Sequence, residues 1–314
     1  MAVGESLKFG VHTGPQNCTF AELRSLWQRA EEAKLWWVSV WDHFYPAQSA
    51  ETGPCFEGVA AQTALAASTS TVRVGCLVYC AAYRNPAMLA KAAATIDHVS
   101  GGRVELGLGA GWHDGEFRAF GVPFLSAGER VSQMEEAATI IRSLWDNERT
   151  TFAGRYYSVD DAVFAPKMVQ PQPRLWFGAQ GRRGLAITAR FGGGWNCPFS
   201  SPDEFARRSA LIDATCGTIG RDPSEIMRAV NLGLALAATP RAAEAKKANL
   251  REQFGPMSDA MLAGMLVGTP QQAIERIGEY RERGCDLVIA ALRAPFDLES
   301  YELFLTDVVP AFSK

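Results

Sequence analysis

The feature that most constrains the fold of this sequence is the regular alternation of strand-like and helix-like segments along its whole length. Short β-branched or aromatic runs predict strands over 7–13, 36–44, 72–80, 103–110, 173–180, 193–199, 226–237 and 285–293. Apolar residues at helical spacing predict helices over 20–34, 56–70, 85–102, 128–147, 182–192, 201–220, 242–254 and 268–284, and a final segment over 298–312 closes the chain. Strands joined through helices pair in parallel. Eight such units in 314 residues predict an α/β fold, a closed (β/α)8 TIM barrel rather than an open doubly wound sheet.

One segment breaks this alternation. Residues 150–164 predict a β-hairpin that turns at Ala153, Gly154 and Arg155, within a surface insertion over about 148–172. No linker, repeat or low-complexity tract divides the rest of the sequence. We therefore predict a single barrel domain over 1–314 that carries this insertion.

Composition and charge exclude several classes of function. The net charge of −3 argues against a nucleic-acid partner, which favours a basic surplus. No apolar run is long enough for a membrane span, and the first residues lack the pattern of a secretory signal. The seven cysteines have no CxxC spacing and the four histidines form no HExxH motif, so neither a disulfide framework nor a metal site is expected. These features favour a cytoplasmic protein that acts on a small-molecule substrate.

The end of the second predicted strand carries a candidate proton-transfer residue. In a TIM barrel the chemistry lies at the carboxyl ends of the strands, and this strand ends in Trp41, Asp42, His43 and Phe44. A histidine exchanges protons near neutral pH, and the neighbouring Asp42 is suited to orient a ring or hold a loop. A purely structural interpretation stays open, in which Asp42 caps the loop and His43 is a satisfied imidazole.

The fourth predicted strand leads into LGLGAGWHDGEF, residues 106–117. This stretch is neither a P-loop nor a GxGxxG motif, because no Gly-Lys-Ser/Thr follows and Trp112 stands where a helix would begin. One interpretation is that Gly109 and Ala110 let a flat ligand lie against the backbone. The mouth would then be rimmed by Trp112, His113, Asp114 and Glu116. The alternative is a plain turn.

The loop after the fifth predicted strand predicts an anion site. It consists of Gly178, Ala179, Gln180 and Gly181, and the next helix begins with Arg182 and Arg183. Free N–H groups and the helix dipole attract anions at a helix start. Arginines at that end oppose the dipole unless an anion is bound, so the pattern favours a ligand that carries a phosphate.

The segments 36–44, 83–124, 129–145 and 173–196, and most specifically 100–117, together resemble the bacterial luciferase-like monooxygenase superfamily, and within it the branch that uses the deazaflavin coenzyme F420. The resemblance implies a (β/α)8 barrel, often a homodimer, with the cofactor ring at the carboxyl-end mouth. It implies that a bulge with a non-proline cis peptide, within Cys76, Leu77 and Val78, supports the ring. It also implies that His43 acts near the reacting carbon and that the loop from Gly178 to Arg182 takes the cofactor phosphate.

The sequence departs from that branch at one position. Its sugar-phosphate and alcohol dehydrogenases place a glutamate directly after the strand-four glycines, where this chain has Trp112. His113, Asp114 and Glu116 are the candidates to replace that acid, and Trp112 is expected to stack on the substrate or wall the pocket. We expect hydride transfer between F420 and a small organic substrate, with His43 handling the proton. The alternatives are an FMN-dependent monooxygenase and a non-catalytic flavin-binding barrel.

Overall fold

The computed structural model describes residues 6–47 and 52–312. The strands in these ranges are β1 (Lys8–Thr13), β2 (Trp37–Val40), β3 (Arg73–Cys80), β4 (Val104–Gly109), β5 (Arg149–Ala153), β6 (Ser158–Val163), β7 (Leu175–Phe177), β8 (Gly194–Pro198), β9 (Met227–Leu236), β10 (Met265–Gly268) and β11 (Leu287–Leu292). The helices are α1 (Phe20–Glu32), α2 (Gly58–Ser68), α3 (Pro86–Ser100), α4 (Asp114–Ala119), α5 (Ala127–Asp146), α6 (Arg182–Phe191), α7 (Pro202–Ile219), α8 (Pro240–Phe254), α9 (Ser258–Ala263), α10 (Pro270–Glu282) and α11 (Leu298–Leu303).

The strands form a closed parallel barrel, which confirms the predicted TIM-barrel fold. Neighbouring strands follow the order β1, β2, β3, β4, β7, β8, β9 and β11, and β11 pairs back with β1. The short strand β10 adds to β9 outside this ring. The sequence does not predict β10, α4 or α9, because each has only four to six residues and such short runs show no clear periodicity.

Apolar side chains fill much of the lower barrel, beside the buried Glu105 carboxylate that accepts a hydrogen bond from Trp176 Nε1. The Trp37 and Trp176 rings pack with their centroids 4.7 Å apart. Ala229, Leu287 and Ile289 complete this interior cluster from β9 and β11. Burial of large apolar groups here is favourable at roughly 25 cal/mol per Å² of surface removed from water. In the part of the chain that the structure describes, this plug lies at the amino ends of the strands, opposite the carboxyl ends where a TIM barrel binds its ligand.

The glycines of β4 make room for a bulge in β3. The pairing of β3 with β4 shifts register between Cys76 and Tyr79, and the peptide between Leu77 and Val78 is cis. A Cβ atom added at Gly109 would lie 2.4 Å from Val78 Cγ2, and one at Gly107 would lie 2.9 Å from Val78 Cγ1. The alternating glycines therefore accommodate the Val78 side chain rather than a ligand that lies directly on β4.

We expect Gly109→Ala to lower the free energy of unfolding by about 1–3 kcal/mol, because the new methyl group overpacks against Val78. The matched control is Gly217→Ala in α7, where a Cβ atom meets nothing within 4 Å and the same change should cost nothing. Urea unfolding measures both variants. Adding Val78→Ala should restore part of the loss, and equal effects at Gly109 and Gly217 would contradict the packing explanation.

The hairpin β5–β6 lies within the insertion and pairs in antiparallel fashion from Arg149 to Val163. All seven cysteines are free thiols. Among the helices that the structure describes, none is long and apolar enough to cross a membrane.

Candidate active site

A cavity of about 430 Å³ opens at the carboxyl ends of the barrel strands. Its volume lies in the range of small-molecule sites, roughly 300–1,000 Å³. It is lined by His12, Trp41, Asp42, His43, Ala47, Leu77, Val78, Cys80, Tyr83, Gly111, Trp112, Gly178, Gln180, Asn196, Pro198, Phe199, Asn231 and Arg293.

A histidine–carboxylate pair lies at one wall of this cavity. His43 Nδ1 is 2.9 Å from Glu116 Oε2 and 3.1 Å from Oε1. The Glu116 side chain is fully buried. Its carboxylate also accepts hydrogen bonds from Phe44 N at 2.7 Å, Tyr45 N at 3.0 Å and the Tyr83 hydroxyl at 2.8 Å. The short helix α4 thus places a carboxylate that fixes both the His43 ring and the loop after β2.

The environment of Glu116 keeps it ionised. Burial raises its pKa, but the hydrogen bond and charge of His43, with the bonds from Tyr45 N and Tyr83, outweigh burial and lower the pKa to about 2. A carboxylate in this state accepts a hydrogen bond from the Nδ1–H group of His43, which leaves Nε2 as the nitrogen available to a ligand. Glu116 is therefore no proton donor at neutral pH, and it does not replace the missing strand-four acid directly.

Asp42 supports the neighbouring loop. It is almost completely buried, and Arg84 Nη1 and Nη2 each lie 2.7 Å from one of its oxygens. Cys80 N donates to the same carboxylate at 3.1 Å. Burial raises the pKa of Asp42, whereas the Arg84 charge opposes that rise. Asp42 therefore connects the end of β2 to the end of β3, which is the supporting role considered for it above.

Trp112 and His113 lie at the mouth in different roles. Trp112 is 57% exposed, lines the cavity, and meets the His43 ring edge-on at 5.5 Å. His113 does not line the cavity, because its Nδ1 accepts from Glu116 N at 3.2 Å and caps α4. Asp114 pairs with Arg118 on the outer side of α4 at 3.0 Å. The interpretation of His113 as catalytic therefore needs correction: its ring is a helix cap.

The predicted ring-binding residues divide into two groups. Leu77 and Val78 line the cavity at the bulge, and the cis peptide between them falls within the range that the resemblance implies. Cys76 is fully buried in the core, and burial raises the pKa of its thiol. Gly109 and Ala110 do not line the cavity either, because the bulge covers β4 there. A ligand in the cavity would therefore contact Leu77 and Val78 of the β3 bulge rather than the backbone of β4.

Two of the four residues in the predicted phosphate loop line the cavity. Gly178 and Gln180 line it, whereas Ala179 is buried and its carbonyl accepts from Trp195 Nε1 at 2.8 Å. Gly181 is the N-cap of α6, and no side chain caps the first turn. The N–H groups of that turn are therefore available for an anion.

The two arginines at the start of α6 differ. Arg183 donates to Gly128 O and to Ser132 Oγ, both at 3.0 Å, and so ties α6 to α5. Arg182 is exposed beside the uncapped turn. We conclude that Arg182 is the better candidate for a phosphate contact and that Arg183 has a structural role.

Several cavity residues carry no assignment from the sequence. These are His12, Asn196 and Arg293, which stand at or near the ends of β1, β8 and β11, and Asn231, which lies in the middle of β9. His12 Nδ1 lies 2.8 Å from Ser39 Oγ, and burial, together with the charges of Arg293 and His43, lowers its pKa to about 3, so it is neutral. Three of them are polar side chains close to a strand end, whereas Asn231 gives no such signal because it lies within its strand.

Comparisons with known proteins show the family and the fold of this chain. The model of the luciferase-like monooxygenase family matches residues 1–255. An F420-dependent glucose-6-phosphate dehydrogenase of Kineococcus radiotolerans is 31% identical over 240 residues, 76% of this chain and 70% of its own length. An FMNH2-dependent dimethylsulfone monooxygenase of Pseudomonas putida is 28% identical over 265 residues, 74% of this chain and 73% of its own. A solved F420-dependent secondary alcohol dehydrogenase superposes with a TM-score of 0.85 at 20% identity, covering 98% of this chain and 99% of that one.

Proposed function

Because the chain belongs to the luciferase-like monooxygenase family, we propose that this flavin- or F420-dependent oxidoreductase transfers a hydride between coenzyme F420 and a small organic substrate. The observation that carries the proposal is His43, which the ionised Glu116 holds in a cavity that the Leu77–Val78 bulge also lines. Oxidation of an alcohol, or reduction of a carbonyl group, moves a proton as well as a hydride. The reaction therefore needs a proton carrier beside the reacting oxygen, and His43 is suited to that task.

The residues present fit a cofactor with a flat ring and a phosphate. Leu77 and Val78 offer an apolar wall to the ring, with Gly178 beside them. The uncapped start of α6 and Arg182 would hold the phosphate. When bound, F420 supplies a carbon centre that accepts or donates a hydride and does not activate oxygen.

His43 and its neighbours would provide the rest of the chemistry. Nε2 would take the hydroxyl proton of an alcohol substrate, or return a proton to the oxygen of a carbonyl substrate. Glu116 would keep the ring in one orientation and stabilise the imidazolium that forms on proton uptake. Trp41 and Trp112, both at the cavity wall, would exclude water from the reacting atoms.

An FMN-dependent monooxygenase is the second candidate, and a specific observation favours it. The dimethylsulfone monooxygenase relative covers nearly the same share of this chain as the F420-dependent relative, at similar identity. The uncapped turn of α6 would serve the phosphate of FMN as well as that of F420.

Fluorescence titration of the protein with F420 and, separately, with FMN tests the proposal. We expect F420 to bind at least about tenfold more tightly than FMN, a difference of roughly 1.4 kcal/mol. Arg182→Gln should weaken F420 binding by about three- to tenfold, because an exposed charge-assisted hydrogen bond is lost. The matched control is Arg24→Gln, which removes an exposed arginine of α1 and should change nothing. Tighter binding of FMN would overturn the F420 assignment in favour of the monooxygenase.

A further inference from the structure

Two asparagines in the cavity have carbonyl oxygens without a partner. Asn196 of β8 is 4% exposed and Asn231 of β9 is 3% exposed. Both line the cavity. Within the described part of the chain, neither Oδ1 atom has a hydrogen-bond donor in reach. Each is therefore a buried polar side chain that the fold itself does not satisfy.

The barrel places both amides on one inner face. In the parallel pairing of β8 with β9, Asn196 is opposite Ala229, and Pro198 is opposite Asn231. Ala229 belongs to the apolar plug inside the barrel. Since alternate residues of a strand share a face, Asn231 points inward like Ala229 and lies one step closer to the mouth. The two amides form a polar strip directly above the plug.

The free-energy cost of burying two amide oxygens without partners indicates that a ligand binds them. A buried acceptor without a donor costs about 1–3 kcal/mol, and native structures satisfy most such groups. Two in adjacent positions of one cavity are better explained by a bound molecule than by packing. A side-chain amide presents both an acceptor and two donors, and a hydroxyl group matches it because a hydroxyl also donates and accepts.

The strip is separate from the residues proposed to hold the cofactor. Those residues lie at the bulge of β3, in the loop after β7 and at the start of α6, whereas Asn196 and Asn231 are on β8 and β9. Neutral His12 and the half-buried Arg293 also line the cavity, so this part of the cavity is polar. An unsubstituted hydrocarbon would leave the Oδ1 atoms of Asn196 and Asn231 unsatisfied.

We propose that Asn196 and Asn231 determine substrate specificity and that they bind hydroxyl groups of the substrate, which is a small polyol or hydroxylated carbonyl compound. This inference rests on the proposed function, since it assigns the substrate half of the same cavity. The amides bind and orient the substrate, and they take no part in proton transfer.

The test uses two probes of the same shape, glycerol and 3-pentanol. In 3-pentanol, methyl groups replace the two outer hydroxyl groups of glycerol. Calorimetry measures the affinity of both probes for the chain with and without bound cofactor. We expect the wild type to bind glycerol at least about tenfold more tightly than 3-pentanol. Asn196→Leu and Asn231→Leu, both near-isosteric, should each lower that ratio by about fivefold to tenfold. Asn249→Leu, on the exposed face of α8, is the matched control and should leave it unchanged.

Two further readouts separate this role from a structural one. The melting temperature of Asn196→Leu and Asn231→Leu should stay equal or rise, because an unsatisfied buried acceptor is removed. Cofactor affinity should stay the same. A lower melting temperature with an unchanged probe ratio would overturn the proposal, as would equal binding of both probes by the wild type. Failure of the wild type to bind any cofactor would instead refute the proposed function, and the probe ratio of the cofactor-free chain would still decide the role of the amides.

Discussion

Replacing His43 with alanine is expected to lower the turnover number by about 10²–10⁴-fold, the usual contribution of a positioned general acid–base. The dissociation constant of the cofactor should change by less than about twofold, because the apolar bulge and the start of α6 provide its binding energy. His43 Nδ1 is committed to Glu116, so Nε2 alone can serve the substrate. Steady-state kinetics with the cofactor identified by titration, together with the titration of the variant, measure both quantities.

The control for this substitution is His98→Ala. His98 is an exposed residue of α3 whose Nε2 lies 2.9 Å from Lys167 O, far from the cavity lining. It should retain full turnover. Unchanged turnover of His43→Ala would show that His43 only walls the cavity. Cofactor binding by the wild type, without turnover on any substrate of a broad panel, would support the non-catalytic barrel instead.

The barrel was predictable because each of its strands and helices has a sequence pattern that lies within the element itself. Each strand that builds the ring is a short apolar run, and each crossover helix carries its own spacing and caps, such as the capping box of Thr19 and Glu22 in α1. The strand order then follows from the parallel rule. What the sequence does not reveal is which short segments also pair, as β10 does with β9 through only four residues.

The place of the candidate site was predictable from the sequence, but the contacts of its residues were not. Strand ends identify His43 and the stretch 106–117, yet the pairing of His43 with Glu116 joins residues 73 positions apart, and no local pattern encodes it. The alternating glycines gave a misleading signal for the same reason. Gly109 makes room for the Val78 side chain of β3, and Gly107 makes room for Val78 and for the Cys76 carbonyl group. Long-range packing decides which member of a polar stretch faces the cavity and which caps a helix, as His113 does.

The second large effect is expected for Glu116→Gln. The amide can donate a hydrogen bond to His43 Nδ1, which favours the tautomer with its proton on Nε2 and removes the nearby negative charge. Replacing the carboxylate that orients a catalytic histidine by its amide lowers the turnover number by up to about 10⁴-fold, even when the geometry of the site is unchanged. We expect a loss of at least about 10²-fold. Glu244→Gln, an exposed position of α8, is the matched control.

Glu116→Gln should also change how the free energy of unfolding depends on pH. The pKa of Glu116 falls from its ordinary value of 4.5 to about 2 in the fold. A lowered carboxyl pKa stabilises the folded state above pH 4.5, and this contribution, about 3 kcal/mol, is lost as the pH falls toward 2. Urea unfolding from pH 7 to pH 2 should therefore show wild type and Glu116→Gln converging below pH 4.5. Parallel curves would contradict an ionised Glu116.

The two substitutions should also be strongly non-additive in turnover. If Glu116 acts only through the His43 ring, then once His43 is alanine, the further change Glu116→Gln has no ring to misorient and should cost almost nothing in turnover. The double variant should then match His43→Ala within about threefold, whereas independent effects would multiply. A multiplied loss would mean that the Glu116 carboxylate acts mainly by ordering the loop through Phe44 N and Tyr45 N, so the cycle distinguishes orientation of a proton carrier from support of the cavity wall.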